Sequence, residues 1–402
     1  MNKDFSSICV IGLGYIGLPT ASLLGTKGYH VTGVDVSPKI VDTINQGKIH
    51  IVEPDLDLLV KSAVNSGQLK ASLEPVKADI FIIAVPTPFK GNHVPDLSFI
   101  EQASKAIAPY IEPGNLVILE STSPVGTTDD CVAKILEQAG HNIGTDVFVA
   151  HCPERVLPGR ILIELVQNDR IVGGINTKST EVAASFYREF VSGVVLETDA
   201  KTAELSKLTE NSFRDVNIAF ANELSLICDQ ESIDVWELIN LANRHPRVNI
   251  LQPGPGVGGH CIAVDPWFII DRTPEQAKLI KTAREVNDGK PDWVVKKISE
   301  KAAKFKHPVI ACLGLAFKAD LDDLRESPSV GIVNKLHQLN IGEIIVCEPN
   351  ITSHPTFELH PVEDALEKSD ILVVLVDHKE FKSLSAAKLS EKIVIDTRGI
   401  LK

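Results

Sequence analysis

The sequence predicts an α/β protein, with two Rossmann-like parallel-sheet domains joined by a helical central domain with one long helix. Three observations predict it. Short, continuous apolar runs alternate with helix-length segments over the first part of the chain. The same alternation returns near the end. Between them, apolar residues fall at three- and four-residue spacing. Continuous apolar strands separated by helices are the pattern of a parallel sheet covered on both faces.

The elements follow in order. The first strands are expected at 8–11, 31–34, 80–85, 116–119, 147–150 and 170–172. From Ala200 to about Gln230 there is no Pro or Gly, and Leu205, Leu208, Phe213, Val216, Phe220, Leu224 and Ile227 keep a helical period, which reads as one long helix. Further helices are expected at 233–243 and 274–287. The stretch between them, Gln252-Pro-Gly-Pro-Gly-Val-Gly-Gly-His-Cys261, is too rich in Gly and Pro for either element. Strands return at 309–313, 343–346, 371–376 and 393–395. Domain boundaries are therefore placed at 1–198 (first α/β domain), 199–300 (central, helical) and 301–402 (second α/β domain).

Composition narrows the function. The 402 residues are 44% hydrophobic and carry a formal net charge of -13, which argues against a nucleic-acid or anionic-membrane surface but leaves anionic small molecules open. Apolar runs are strand-sized rather than membrane-spanning, and Met1–Ser7 leads directly into a strand, so a cytoplasmic protein is expected. The seven cysteines are scattered without a CxxC pair. That spacing suggests reduced thiols, with neither a metal site nor a disulfide framework.

Gly12-Leu13-Gly14-Tyr15-Ile16-Gly17 follows the first strand and opens a helix, and a second strand ends at Asp35. This is the context in which a GxGxxG binds a dinucleotide. Gly12 permits the turn, Gly14 lets the pyrophosphate approach a helix N-terminus, and Gly17 allows helix and strand to pack. Asp35 can accept from both ribose hydroxyls and would repel a 2′-phosphate, which favours NAD over NADP. Thr87, in Pro86-Thr87-Pro88, and Thr122, in Glu120-Ser-Thr122-Ser-Pro124, also follow apolar strands, where ligands of such sheets bind.

Cys261 stands apart from Cys9 and Cys312, which lie inside apolar strands. It follows Gly258-Gly259-His260, with Asp265 four residues on. Lys207 and Asn211 share one helix face, with Arg214 close by, and Glu154 follows another strand end. A small residue in a tight turn and a solvated polar stripe are the bland alternatives. A thiol, an ammonium, an amide and two carboxylates form a set suited to covalent catalysis.

These motifs resemble the UDP-glucose/GDP-mannose dehydrogenase family over nearly the whole chain. The specific stretches are 10–19, 51–54, 86–90, 120–126, 152–158, 207–222, 243–268 and 317–329. Glucose-type members resemble one another in a Phe-Pro-Lys-Asp after the cysteine, whereas Ile262-Ala263-Val264-Asp265 follows here. That departure, with Arg244-His245-Pro246-Arg247-Val248-Asn249, is similar to the bacterial branch acting on UDP-N-acetyl-D-mannosamine. The N-acetylglucosamine branch is the alternative. A catalytically silent nucleotide-sugar sensor is the alternative of another class, against which the intact Cys261, Lys207, Asn211 and Asp265 speak.

The resemblance implies an NAD-dependent four-electron oxidation of the sugar C6 alcohol to a carboxylate. Cys261 would carry the thiohemiacetal and thioester, and Lys207 and Asn211 would stabilise oxyanions. Asp265, through a water, or Lys207 would be the first base, and Glu154 or Thr122 would position the hydrolytic water. Tyr15, Ile16, Thr87, Thr122 and Arg325 would join Gly12, Gly14, Gly17 and Asp35 around NAD. Glu154, Arg155, Val156, Lys207, Asn211, Arg214, Gly258, Lys318 and Arg398 would bind the UDP-sugar. The family also implies a homodimer through the central helix, with His245 and Arg247 as basic residues entering the partner's site. The two α/β domains would face each other across a locally basic cleft in an acidic protein.

Overall fold

The computed structural model describes residues 5–401. Residues 1–4 lie outside it, and with them part of the reading of the chain's start. Contacts divide the chain into two units that meet within the long helix, one ending at Thr209 and the other beginning at Glu210.

The first unit is built on an eight-stranded sheet. Its strands are β1 (Ser7–Ile11), β2 (His30–Val34), β3 (Leu69–Ser72), β4 (Ile80–Ile83), β7 (Leu116–Leu119), β8 (Phe148–His151), β9 (Arg170–Gly174) and β10 (Val195–Asp199), with β5 (Phe89–Lys90) and β6 (Val94–Pro95) forming a separate short hairpin. The order β10-β9-β8-β7-β4-β1-β2-β3 contains the doubly wound dinucleotide-binding arrangement from β3 to β8. Alternating strand residues feed opposite faces. Ile8, Val10, Ile80 and Ile82 pack on one side with Leu24, Ala184 and Phe186. Cys9, Ile11, Phe81 and Ile83 pack on the other with Ile100 and Ile107.

The expected all-parallel sheet needs one correction, because β9 runs antiparallel to β8. Two edge strands, β3 and β10, were not expected. Leu69-Lys-Ala-Ser is short and buried only on alternate residues, and β10 is exposed along most of its length, so neither presents a continuous apolar run.

The long helix runs Ala200–Glu231 and is followed by Val235–Ala242. Asp265–Arg272 is a further helix missed in the sequence, its Pro266 sitting in the first turn where a missing N–H costs nothing. The helix expected at 274–287 runs Lys278–Ala302, continuing through Pro291. Its C-terminal half supplies Val294, Val295 and Ile298 to the core of the last sheet. That sheet has four parallel strands, β11 (Val309–Leu313), β12 (Glu343–Cys347), β13 (Ile371–Val374) and β14 (Ile393–Asp396), in the order β12-β11-β13-β14. Among the described residues, no helix is long and apolar enough to cross a membrane, and no group of three His, Cys, Asp or Glu side chains could hold a metal ion.

Candidate active site

In the first unit, the fingerprint turn leaves β1 at Gly12, whose φ of 94° and N–H to Val34 O bond (2.8 Å) fold the chain over β2. A side chain on Gly17 would collide with the Gly12 carbonyl, so the helix Gly17–Thr26 can start this close to the strand only without one. Nothing stands within 4 Å of the place a Gly14 side chain would occupy. Tyr15 is exposed and Ile16 half-buried beside that space.

The Asp35 carboxylate is aimed by two backbone donors, Leu13 N–H (3.2 Å) and Ser37 N–H (2.9 Å). Thr87 Oγ1 is buried without a hydrogen-bond partner, and Thr122 is half-buried. Open space at the turn, an aimed acid at the end of β2 and an orphaned hydroxyl at the end of β4 fit a dinucleotide.

Where β7 and β8 end and the antiparallel β9 begins lies a buried polar cluster. Arg170 Nη1 binds Glu154 Oε2 at 3.1 Å, and Arg155 N–H donates to Glu154 Oε1 at 2.6 Å. The Arg170 guanidinium lies over the Tyr187 ring, and Tyr187 O–H donates to Glu120 Oε1 at 2.7 Å. Burial pushes the Glu120 carboxyl up to about 7, against the pull of Arg170, and the Cys152 thiol up to about 12. Glu120, Arg170 and Tyr187 were not singled out from sequence; the signal available was a carboxylate directly after the apolar strand β7. Arg155 and Val156 follow half-buried, and Val156 packs against the core. Glu53 accepts from the N–H groups of Gly159 and Ile161, each at 2.8 Å, and so fixes the far end of this loop. Lys207, half-buried, is the last of the candidate residues in this unit.

The second unit holds the thiol. Six of the seven cysteines are buried and Cys261 is exposed. Burial raises the Cys9 thiol to about 11 and the Cys312 thiol to about 12, consistent with inert core groups. The Cys261 carbonyl accepts from Val264 N–H (3.0 Å) and Asp265 N–H (2.8 Å), so the cysteine closes the turn that opens helix Asp265–Arg272. Asp265 is buried, and Asn211 Nδ2 donates to its Oδ2 at 2.6 Å. The pairing of Asn211 with Asp265 is thus one the structure brings together.

The Gly-rich run before Cys261 packs closely against residues of the C-terminal α/β domain. A side chain on Gly254 would meet Arg398 Nη1 at 2.6 Å, and one on Gly258 would meet Glu326 O at 2.5 Å and the Pro328 ring. Gly259 N–H reaches Arg325 O at 3.3 Å, with Phe317 alongside. The loops carrying Lys318, Arg325 and Arg398 therefore border the thiol loop. Lys318 is exposed, Arg398 Nε pairs with Asp377 at 3.2 Å, and the Arg325 guanidinium faces Asp323. Arg214, His245 and Arg247 are exposed.

The C-terminal domain repeats the device of the first. Gly314 N–H bonds Cys347 O at 2.8 Å, and the acid after β12, Glu348, accepts from Leu315 N–H at 2.7 Å, as Asp35 accepts from Leu13. Here, however, His378 Nδ1 accepts from Asp320 N–H and its Nε2 faces Glu348 Oε2 at 3.0 Å, so the acid is already taken. These bonds outweigh burial and hold the Glu348 carboxyl down at about 2.

Comparison with known proteins decides the family. Its NAD-binding, central and UDP-binding domain models match residues 6–191, 201–289 and 311–402. The chain belongs to the UDP-glucose/GDP-mannose dehydrogenase family. It is 58% identical over 408 residues to an NDP-N-acetyl-D-galactosaminuronic acid dehydrogenase of Ralstonia nicotianae, covering 99% of this chain and 96% of that protein. It is likewise 58% identical over 402 residues to a UDP-N-acetyl-D-mannosamine dehydrogenase of Campylobacter jejuni, covering 96% and 99%. Among solved structures, the UDP-N-acetyl-mannosamine dehydrogenase of S. aureus superposes with a TM-score of 0.90 at 44% identity, over 99% of this chain and 96% of that one. The protein is an NAD-dependent UDP-sugar dehydrogenase.

Proposed function

We propose that this dehydrogenase oxidises the C6 alcohol of UDP-N-acetyl-D-mannosamine to the uronate by way of a covalent adduct on Cys261. The observation that carries the reading is the exposed Cys261 at the mouth of the turn closed by Asp265, with Asp265 held by Asn211. Bound NAD supplies the two-electron acceptor of each oxidation. Asp265, through a water, or Lys207 takes the hydroxyl proton as a C6 hydrogen leaves as hydride to that acceptor, which gives the aldehyde. The Cys261 thiolate adds to the aldehyde carbon, and the resulting thiohemiacetal, on losing its C6 hydrogen as hydride, becomes a thioester. Water adds to the thioester, the C–S bond breaks, and the acid leaves with Cys261 regenerated.

Asn211 and Lys207 stabilise the tetrahedral oxyanions, each such donor being worth roughly 3–4 kcal/mol. The Glu154 carboxylate, with an oxygen on Arg155 N–H and another on Arg170, keeps lone-pair directions available to orient water, together with Thr122. Lys318, Arg398, Arg155 and Gly258 hold the UDP-sugar, with Arg325 reaching toward NAD.

A second hexosamine is favoured by the Ralstonia relative, whose name carries N-acetyl-D-galactosaminuronic acid. The test is NADH formation with UDP-N-acetylmannosamine, UDP-N-acetylgalactosamine, UDP-N-acetylglucosamine and UDP-glucose in separate reactions. The proposal expects the highest kcat/KM with the first, at two NADH per sugar; a higher value with another sugar replaces it.

The enzyme works in the cytoplasm as a homodimer in this reading. Phe213, Phe220 and Ile227, spaced by seven on the long helix, are at least half exposed and offer a second copy an apolar stripe. Light scattering of the purified protein reads the stoichiometry directly.

A further inference from the structure

We infer that Asp215, Asn287 and Asn222 form a one-way chain of hydrogen bonds that pins the start of the Cys261 loop, so that the long helix grips this loop at both ends. The inference rests on the proposed role of Cys261 and adds the residues that position it.

The chain is continuous and buried. Asn287 Nδ2 donates to Asp215 Oδ1 at 2.8 Å and to the Asp215 carbonyl at 3.1 Å. Asn222 Nδ2 donates to Asn287 Oδ1 at 2.8 Å, and Gly254 N–H donates to Asn222 Oδ1 at 2.9 Å. Asp215, Asn222 and Asn287 are all at most 1% exposed.

Its direction is dictated at one end. Asp215, paired with Arg284 Nη1 at 2.6 Å, is an acceptor only. Asn287 must therefore turn its NH2 toward Asp215, which turns its oxygen toward Asn222. Asn222 must then donate to Asn287, which leaves its own oxygen for the Gly254 amide. No amide in the chain can flip without setting oxygen against oxygen in a buried site.

The sequence register makes this a grip. Asn211, Asp215 and Asn222 are spaced by four and seven, so they share one face of the helix. Asn211 holds Asp265, four residues after the cysteine, and Asn222 holds Gly254, seven residues before it. Gln252-Pro253-Gly254-Pro255 has few N–H groups to offer, because proline has none, and Gly254 supplies one of them to this anchor. A loop of this composition has little order of its own, and a nucleophile needs its position fixed to within about 0.5 Å.

Two variants test it in the full-length protein. Asn222→Asp keeps the acceptor for Gly254 but loses the donor to Asn287; Asn222→Leu loses both. Amide exchange over residues 253–261, read by mass spectrometry, is expected to quicken at least tenfold in Asn222→Leu and less in Asn222→Asp. Turnover with UDP-sugar should fall in the same order, tenfold or more for Asn222→Leu, with KM for NAD within twofold. Unchanged exchange in both variants overturns the pin. Faster exchange with unchanged kcat overturns its positioning role. Asn222→Asp is nearly isosteric and keeps the test readable if Asn222→Leu does not fold. Failure of the underlying reading shows separately: a Cys261→Ala protein that still makes uronate removes the covalent role, while the exchange data continue to judge the pin.

Discussion

Replacing Arg170 by Met should destabilise the first unit by several kcal/mol, and by more at pH 8 than at pH 5. Arg170 and Glu154 are 3.1 Å apart with side chains only 3% and 7% exposed. At an effective dielectric near 20, that separation corresponds to roughly 5 kcal/mol of attraction. Removing one member of a buried pair strands the other, at a cost of ~3–5 kcal/mol. Methionine keeps the stem's packing, so the loss is mainly electrostatic. Arg170 also draws down the Glu120 carboxyl, so its removal raises that acid further. At pH 5 Glu120 holds its proton and loses little with Arg170, whereas at pH 8 its ionisation no longer has the guanidinium to offset burial. The assay is urea unfolding followed by far-UV circular dichroism and pulse proteolysis. All three tryptophans lie beyond Glu210 and report on the other unit. A loss equal at both pH values, or below about 1 kcal/mol, refutes the electrostatic account of this cluster.

Glu120→Gln should show the opposite sign. The parent carboxyl is raised from 4.5 to about 7, so its folded form favours the proton and stability falls as pH rises from about 4.5 through 7. The amide variant lacks that slope and should exceed the parent by ~3 kcal/mol at pH 8, while matching it near pH 4, in the same unfolding assay. Glu348 is depressed from 4.5 to about 2, so it contributes above pH 4.5 and its contribution is lost as pH falls toward 2. Glu348→Gln should therefore lose ~3 kcal/mol at pH 7 and little at pH 2.5, monitored by tryptophan fluorescence. Asp35→Ser removes the ribose acceptor and the charge that repels a 2′-phosphate; KM for NAD should rise at least tenfold while the preference over NADP narrows, measured by initial rates.

Much of the fold was legible because its strands are continuous apolar runs. Leu116–Leu119 and Val309–Leu313 were placed to the residue. β3 and β10 were hidden because edge strands need bury only part of their surface. The direction of β9 was not readable, since apolar pattern carries no sign of parallel or antiparallel pairing. The long helix was clear from its period, yet Phe213, Phe220 and Ile227 point to the surface rather than to the core of this chain. Periodicity finds a stripe and not what covers it.

The site shows the same division. The glycine turn, Asp35, Asn211, Cys261 and Asp265 carry local signatures. Glu120, Tyr187 and Arg170 are separated by up to 67 residues and meet only through the sheet, as do Asp215 and Asn287 through helix packing. Their residue types are unremarkable one at a time, and only burial with shared partners reveals them.

The central claim is that Cys261 carries the sugar between the two oxidations. It is tested most directly by quantifying UDP-uronate made by Cys261→Ala from UDP-N-acetylmannosamine and NAD over many parental turnover times. The account predicts that acid formation is lost. Acid produced at the parental rate contradicts it.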